Sequence, residues 1–291
     1  MAFDLYFVGI GGLDWGATKF LYSQYGHRGS IKRIVTASRL QHCPIKMFVD
    51  SGAWTAFTKG IQIDIDEYIT YLNRNSSTFS IMASLDVLPG GSKEASLCAE
   101  KSWDNYLYMR QHIIEKNKLI PVYHQEEPIS NLIRMLSYED KFGNIEYIGF
   151  GALASTLDYS VRDSFLAKCF EVVDKYRPNI KVHAFGMTDL RLLEEYPFAS
   201  ADSSTYALAG AMGEILTEFG RVAISLERKD RIRKESIAGE QVEKYVNKLG
   251  FDFDALAMSS LERKKYNIKY LQNWEANRVC TYGKKKIRRL F

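Results

Sequence analysis

Three aspartates each close a short apolar run: Asp50 in Phe48-Val-Asp-Ser-Gly-Ala-Trp54, Asp86 in Ala83-Ser-Leu-Asp-Val87, and Asp202 in Phe198-Ala-Ser-Ala-Asp-Ser-Ser-Thr-Tyr206. One such acid is as easily the N-cap of the next helix; three on three strand ends are harder to explain as caps. Carboxylates gathered at one pocket can exchange protons, or one can attack an anomeric carbon while another moves the protons. Polar groups stand at the ends of other apolar runs: His124 and Gln125, Gly151, and His183 with Gly186. Gly52, after Asp50 and Ser51, permits close backbone approach by a ligand. A metal site built from His124, His183 and a carboxylate is the competing reading. Against it, Leu5–Gly9 lacks the histidine pair with which barrel metallohydrolases often begin, and strand-end histidines also serve as hydrogen-bonded positioning groups.

These residues need a frame that brings strand ends together. Candidate strands run over Leu5–Gly9, Met47–Val49, Ser80–Leu85, Leu119–Tyr123, Tyr147–Phe150, Lys181–Phe185, Phe198–Ala201 and Val222–Ile224. Helical periodicity fills the intervals, as in Ile129, Leu132, Ile133 and Leu136, or Leu166, Cys169, Phe170 and Val173. Thr188 is the expected N-cap of the helix through Leu190 and Leu193. Eight strands alternating with helices predict a (β/α)8 TIM-like barrel, whose chemistry sits at the C-terminal strand ends. The long loop before Met47 predicts an extra early element. The catalytic barrel is expected over residues 1–228, and the last barrel helix plus a basic helical C-terminal appendage over 229–291.

The chain has 291 residues, 46% hydrophobic and 25% charged, a balance that excludes disorder, collagen and coiled coil. Its four cysteines form no Cys-x-x-Cys pair, which excludes a cysteine-rich zinc site. Gly9-Ile-Gly-Gly-Leu-Asp-Trp-Gly16 fails the dinucleotide fingerprint, because Asp14 stands at its third glycine. The start lacks a basic leader and no long apolar run follows, so a soluble, cytoplasmic protein without membrane contact is expected. Residues 261–291 hold ten Lys/Arg against two Glu, a net +8, leaving −4 for residues 1–260. That basic end, with Lys284, Lys285, Lys286, Arg288 and Arg289 at its core, predicts a polyanion partner; a solvated tail is the plainer alternative.

In this order the motifs resemble those of the tRNA-guanine transglycosylase superfamily, and more closely the DNA-guanine transglycosylases of bacteriophages and bacterial DNA-modification islands. The resemblance spans roughly residues 45–210. It implies that Asp50, with Ser51 and Gly52, is the acid/base and that Asp86 reads the base. It further implies that Gln125 and the Gly151-Ala152-Leu153 backbone hold the exocyclic groups. Phe185-Gly-Met-Thr-Asp-Leu matches the segment before the nucleophile, which is Asp202. His124 and His183 are expected to orient substrate or the aspartates. The tRNA enzymes carry a C-terminal zinc module where this chain has only Cys280, which favours DNA as the polymer.

The implied reaction replaces guanine in DNA by a 7-deazaguanine base through a covalent aspartyl-glycosyl intermediate. It needs no metal and no cofactor. A tRNA-guanine transglycosylase and a carboxylate-dependent N-glycoside hydrolase are the alternatives.

Overall fold

The computed structural model describes residues 3–9, 15–23, 45–88, 92–151, 153, 158–187 and 189–283. Ala152, Thr188 and the basic cluster Lys284, Lys285, Lys286, Arg288 and Arg289 lie outside the described residues. The strands are β1 Asp4–Val8, β2 Lys19–Ser23, β3 Lys46–Asp50, β4 Ile81–Ala83, β5 Leu119–Ile120, β6 Val122–His124, β7 Glu139–Asp140, β8 Gly143–Asn144, β9 Tyr147–Gly151, β10 Lys181–Ala184, β11 Ser200–Ser203, β12 Glu214–Thr217 and β13 Gly220–Ala223. The helices are α1 Ala53–Lys59, α2 Ile65–Arg74, α3 Ala95–His112, α4 Ile129–Ser137, α5 Tyr159–Tyr176, α6 Leu190–Glu195, α7 Thr205–Ala211, α8 Ile237–Lys248, α9 Phe253–Met258 and α10 Ser260–Asn277.

The chain forms two compact units: Met1–Ile10, Thr18–Asp202 and Val279–Phe291 in one, Gly11–Ala17 and Ser203–Arg278 in the other. The first is built on a nine-stranded sheet in the order β5-β4-β3-β2-β1-β11-β10-β9-β6. Its strands pair in parallel, so the sheet is a nearly closed, barrel-like wall. Its two edges, β5 and β6, are separated in sequence by Pro121 alone. Proline has no N–H for the ladder, which interrupts the strand at that point. Carbonyls still accept on both sides of the break, Ile120 O from Ser84 N and Pro121 O from Gly149 N, each at 2.9 Å.

Side-chain alternation fills one face of this sheet. Tyr6, Leu21, Phe48, Ile81, Ala83 and Ile120 form a buried cluster from β1 to β5, with Tyr147 and Phe185 against it. The same alternation carries Asp50 two residues beyond Phe48 and Asp202 two beyond Ser200, onto the C-terminal ends of their strands. Helices follow β3, β4, β6, β9 and β10. Asp64, Asp158 and Asp189 cap α2, α5 and α6 through backbone N–H groups. The cap of α6 is therefore Asp189, beside the expected Thr188.

Two strands differ from the sequence expectation. The extra element in the first long loop is β2, which takes a place in the barrel-like sheet. The segment Val222–Ile224, expected as the eighth barrel strand, instead falls in and just after β13, which pairs antiparallel with β12 in a separate two-stranded sheet. Thr217 pairs with Gly220 across a two-residue loop, and Gly220 has φ 110°. Without Asn-Gly or Asp-Gly, that hairpin carries little sequence signal.

In the second unit α10 packs on α7, where a Cβ on Gly210 would lie 2.6 Å from Lys264 Cγ. The fully buried Asn267 ties that packing to the hairpin: its amide donates to Tyr206 O and Glu214 O, and its oxygen accepts from Leu216 N. Residues 203–228, counted with the barrel from sequence, belong by contact to this unit. Among the described residues no helix is long and apolar enough to cross a membrane.

Candidate active site

Asp50 ends β3 and is held by its own turn. Gly52, at φ 78°, turns its N–H onto Asp50 Oδ2 at 3.2 Å, a backbone conformation that favours glycine. Burial, then the carboxylate of Asp86, pushes Asp50 up from 3.8 to about 7; Asp202 adds to the rise and backbone N–H groups oppose it. The three aspartates named from sequence therefore share one electrostatic neighbourhood. Ser51 is fully buried, and its hydroxyl donates to Asp86 Oδ1 at 3.2 Å.

His124 ends β6 and lies between two carboxylates. Nε2 meets Asp86 Oδ2 and Nδ1 meets Glu127 Oε1, each at 2.9 Å. An imidazole that bonds a carboxylate through both nitrogens needs a proton on each. Burial alone would lower its pKa, but the bonds to Asp86 and Glu127 prevail and raise it to about 10, so His124 is an imidazolium at neutral pH. Its ring fits because β9 presents glycine there. His124 and Gly151 are register partners, and a Cβ on Gly151 would lie 2.5 Å from His124 Cδ2.

Asp202 near the end of β11 is held on one oxygen. Oδ1 accepts from Gly186 N at 2.8 Å, where Gly186 has φ 64°, and from His183 Nε2 at 3.2 Å. Oδ2 accepts no hydrogen bond among the described residues. His183 has no exposed surface; the Phe48 and Phe185 rings sit with centroids 4.5 Å from its own. Burial lowers its pKa below 6.5 against the pull of Asp202, so this imidazole is neutral. Its Nδ1 is bonded to Ser200 Oγ, which is bonded in turn to Tyr147 Oη.

The structure thus brings together Asp50, Ser51, Gly52, Asp86, His124, Gly151, His183 and Asp202. Leu153 is fully buried. Gln125 lies in the turn after β6 and lines a cleft of about 450 Å³ with Glu127, Phe165 and Lys168; none of the three aspartates lines it. The Gln125 Oε1 atom is buried without a partner among the described residues. Among those residues no group of three or more His, Cys, Asp or Glu side chains is placed to hold a metal ion. The segment leading into the basic cluster is pinned to the first unit by Thr281 N on Glu194 O at 2.7 Å and Tyr282 Oη on Asp174 at 3.0 Å.

Sequence reasoning missed Glu127, Ser200 and Tyr147. Ser200 had a usable signal, because it lies two residues before Asp202 and so shares its face. Glu127 and Tyr147 had none, since each matters only through the histidine or serine that it meets in space. No family model matches the chain, and no curated protein matches it significantly.

Proposed function

We propose that this chain is a DNA-guanine transglycosylase that exchanges guanine in DNA for a 7-deazaguanine base. We infer that β5 and β6 are one strand interrupted at Pro121, which makes the wall an eight-stranded TIM-like barrel with its chemistry at the C-terminal strand ends. The observation that carries the reading is the difference between two aspartates at one mouth, Asp50 partly buried and Asp202 buried. Asp50 is raised to about 7, where it exchanges protons near neutrality, while Asp202 keeps one carboxylate oxygen clear of hydrogen bonds among the described residues.

In this reading Asp202 Oδ2 attacks C1′ of the target deoxyguanosine and the C1′–N9 bond breaks. Its electron pair leaves with guanine, and Asp50 in its acid form supplies the proton that makes the departing base neutral. Asp50, now a carboxylate, takes the N9 proton of the incoming base as that nitrogen attacks C1′ and releases Asp202. Asp86 accepts from the N1–H and amino edge common to both bases; each of its oxygens has a second acceptor position beyond the bonds to Ser51 and His124. The bond from His124 Nε2 fixes Asp86 in place. Duplex DNA hides this bond, so the nucleotide is extruded, and the basic C-terminal end grips the phosphates.

The test is incorporation of labelled guanine or a 7-deazaguanine into DNA and, in parallel, into tRNA. Wild type and Asp202→Ala are compared, with denaturing gels to detect the protein–DNA adduct. Label entering DNA, absent from tRNA and lost in the variant, is the expected result. Label in tRNA alone makes tRNA the polymer, and release of free guanine without incorporation makes the protein a hydrolase.

A further inference from the structure

Beneath Asp202 runs a chain of polar groups, buried except for the partly buried Tyr147, that the exchange reaction does not itself call for. Tyr147 Oη meets Ser200 Oγ, Ser200 Oγ meets His183 Nδ1, and His183 Nε2 meets Asp202 Oδ1. Its members come from three adjacent strands, β9, β10 and β11, and register sets the middle link, since His183 and Ser200 are Cα partners. Ser200 and His183 are buried, at 1% and 0% exposure. Phe48, Phe185 and Tyr6 surround the imidazole, so no other described polar side chain competes for its nitrogens.

Counting protons gives the chain a direction. Among the described residues the Tyr147 hydroxyl has Ser200 as its one hydrogen-bond partner, so it donates there. The Ser200 proton is then left for His183 Nδ1, which must be an acceptor. A neutral imidazole whose Nδ1 accepts carries its proton on Nε2, and that N–H points at Asp202. The opposite tautomer would set a lone pair against a carboxylate.

We infer that Tyr147 and Ser200 are positioning residues that lock His183 as the Nε2–H tautomer, so that it donates to Asp202 Oδ1 and leaves Oδ2 directed at the reacting carbon. The catalytic consequence rests on the transglycosylase reading; the locked tautomer does not. A neutral donor orients the carboxylate without the ion pair that would draw charge from the attacking oxygen.

The tautomer is read directly by long-range ¹H–¹⁵N correlation spectra of protein labelled with ¹⁵N-histidine, with the His183 signals assigned by their loss in His183→Gln. Wild type at pH 7 is expected to show His183 protonated on Nε2 alone, and Ser200→Ala to shift it toward the Nδ1–H form. An imidazolium, an Nδ1–H tautomer in the wild type, or a Ser200→Ala spectrum identical to wild type overturns the inference. In the exchange assay Ser200→Ala should lower kcat roughly ten- to hundredfold, the scale of one hydrogen bond to a charged group, with KM for the incoming base unchanged. Tyr147→Phe, which keeps the Ser200–His183 bond, should lower kcat less. A Ser200→Ala defect confined to KM also overturns the inference. If the wild type exchanges no base while the expected tautomer is present, the function falls and the locked histidine stands.

Discussion

His124 and His183 both lie on barrel-wall strands and both touch an aspartate through Nε2, at 2.9 and 3.2 Å, yet their pKa values move in opposite directions. The difference lies in what meets the other nitrogen. Nδ1 of His124 meets a second carboxylate, Glu127, whereas Nδ1 of His183 meets the hydroxyl of Ser200, inside an aromatic cage. Burial opposes the charged form in both, so two carboxylates outweigh it and one does not. The pair teaches that a strand-end histidine has no fixed meaning in a sequence; its charge is decided by the third residue. On the proposed function the division is useful: the charged histidine fixes the aspartate that reads the base, and the neutral one holds the aspartate that attacks.

The largest effect should fall on the neutral side. Asp202→Asn removes the proposed nucleophile while keeping shape and the contact with Gly186, and should reduce base exchange by at least about ten-thousand-fold in a single-turnover assay. Asp86→Asn should act chiefly on KM for the incoming base. Equal kcat losses for the two would break the assignment of separate roles.

Next in size is stability. His124→Gln strips a buried imidazolium from between two carboxylates and should lower the unfolding free energy by about 3–5 kcal/mol in urea titrations at pH 7. His183→Gln loses neutral hydrogen bonds and should lower it by about 1–3 kcal/mol. Because the fold raises His124 from 6.5 to about 10, its contribution is complete below pH 6.5 and fades as pH rises through 10. The gap between the two variants should narrow there. Equal losses at pH 7 would mean that both histidines are neutral.

Asp50 tests the same electrostatics from the acid side. Its acid form is the one that the fold favours, so its contribution is complete below pH 3.8 and is lost as pH rises through about 7. Asp50→Asn fixes the neutral state. Its stability relative to wild type should rise by about 1.4 kcal/mol per pH unit between about pH 4.5 and 6.5 and level off above about pH 7.5, with exchange activity lost throughout. A flat difference across that range would mean that neither burial nor the neighbouring carboxylates favour the acid form of Asp50.

Much of this arrangement was legible in the sequence, but not all of it for the same reason. Strand-end acids after apolar runs gave Asp50, Asp86 and Asp202, because alternation and the strand-to-turn boundary are local signals. Seven of the eight expected strands have counterparts in the barrel-like sheet. The short run Phe20-Leu-Tyr22 of β2, buried throughout, shows no alternation by which to recognise it. The hairpin at Glu218-Phe219 lacked the usual turn residues, so Val222–Ile224 read as a barrel strand. The charge states of the histidines were not legible at all: Glu127, in the turn after β6, raises one, and burial lowers the other, whose Nδ1 meets a hydroxyl that the β10–β11 register brings to it.

The finest test uses two glycines on one strand. On Gly151 a Cβ would lie 2.5 Å from His124 Cδ2 and 2.8 Å from its Nε2; on Gly149 it would lie 2.4 Å from Phe185 Cε2. Each alanine must displace a ring, at a stability loss of about 1–3 kcal/mol. The rings differ in what they support. His124 is tethered at both nitrogens, so Gly151→Ala must break a bond to Asp86 or Glu127 and should raise KM for the incoming base. Phe185 bears on His183, so Gly149→Ala should lower kcat and leave that KM alone. Similar stability losses with opposite kinetic signatures would show that β9, which carries no catalytic side chain of its own, sets the two histidines apart. If both variants changed kcat and KM alike, the mouth would act as one coupled network, and the division between reading and attack would have to be given up.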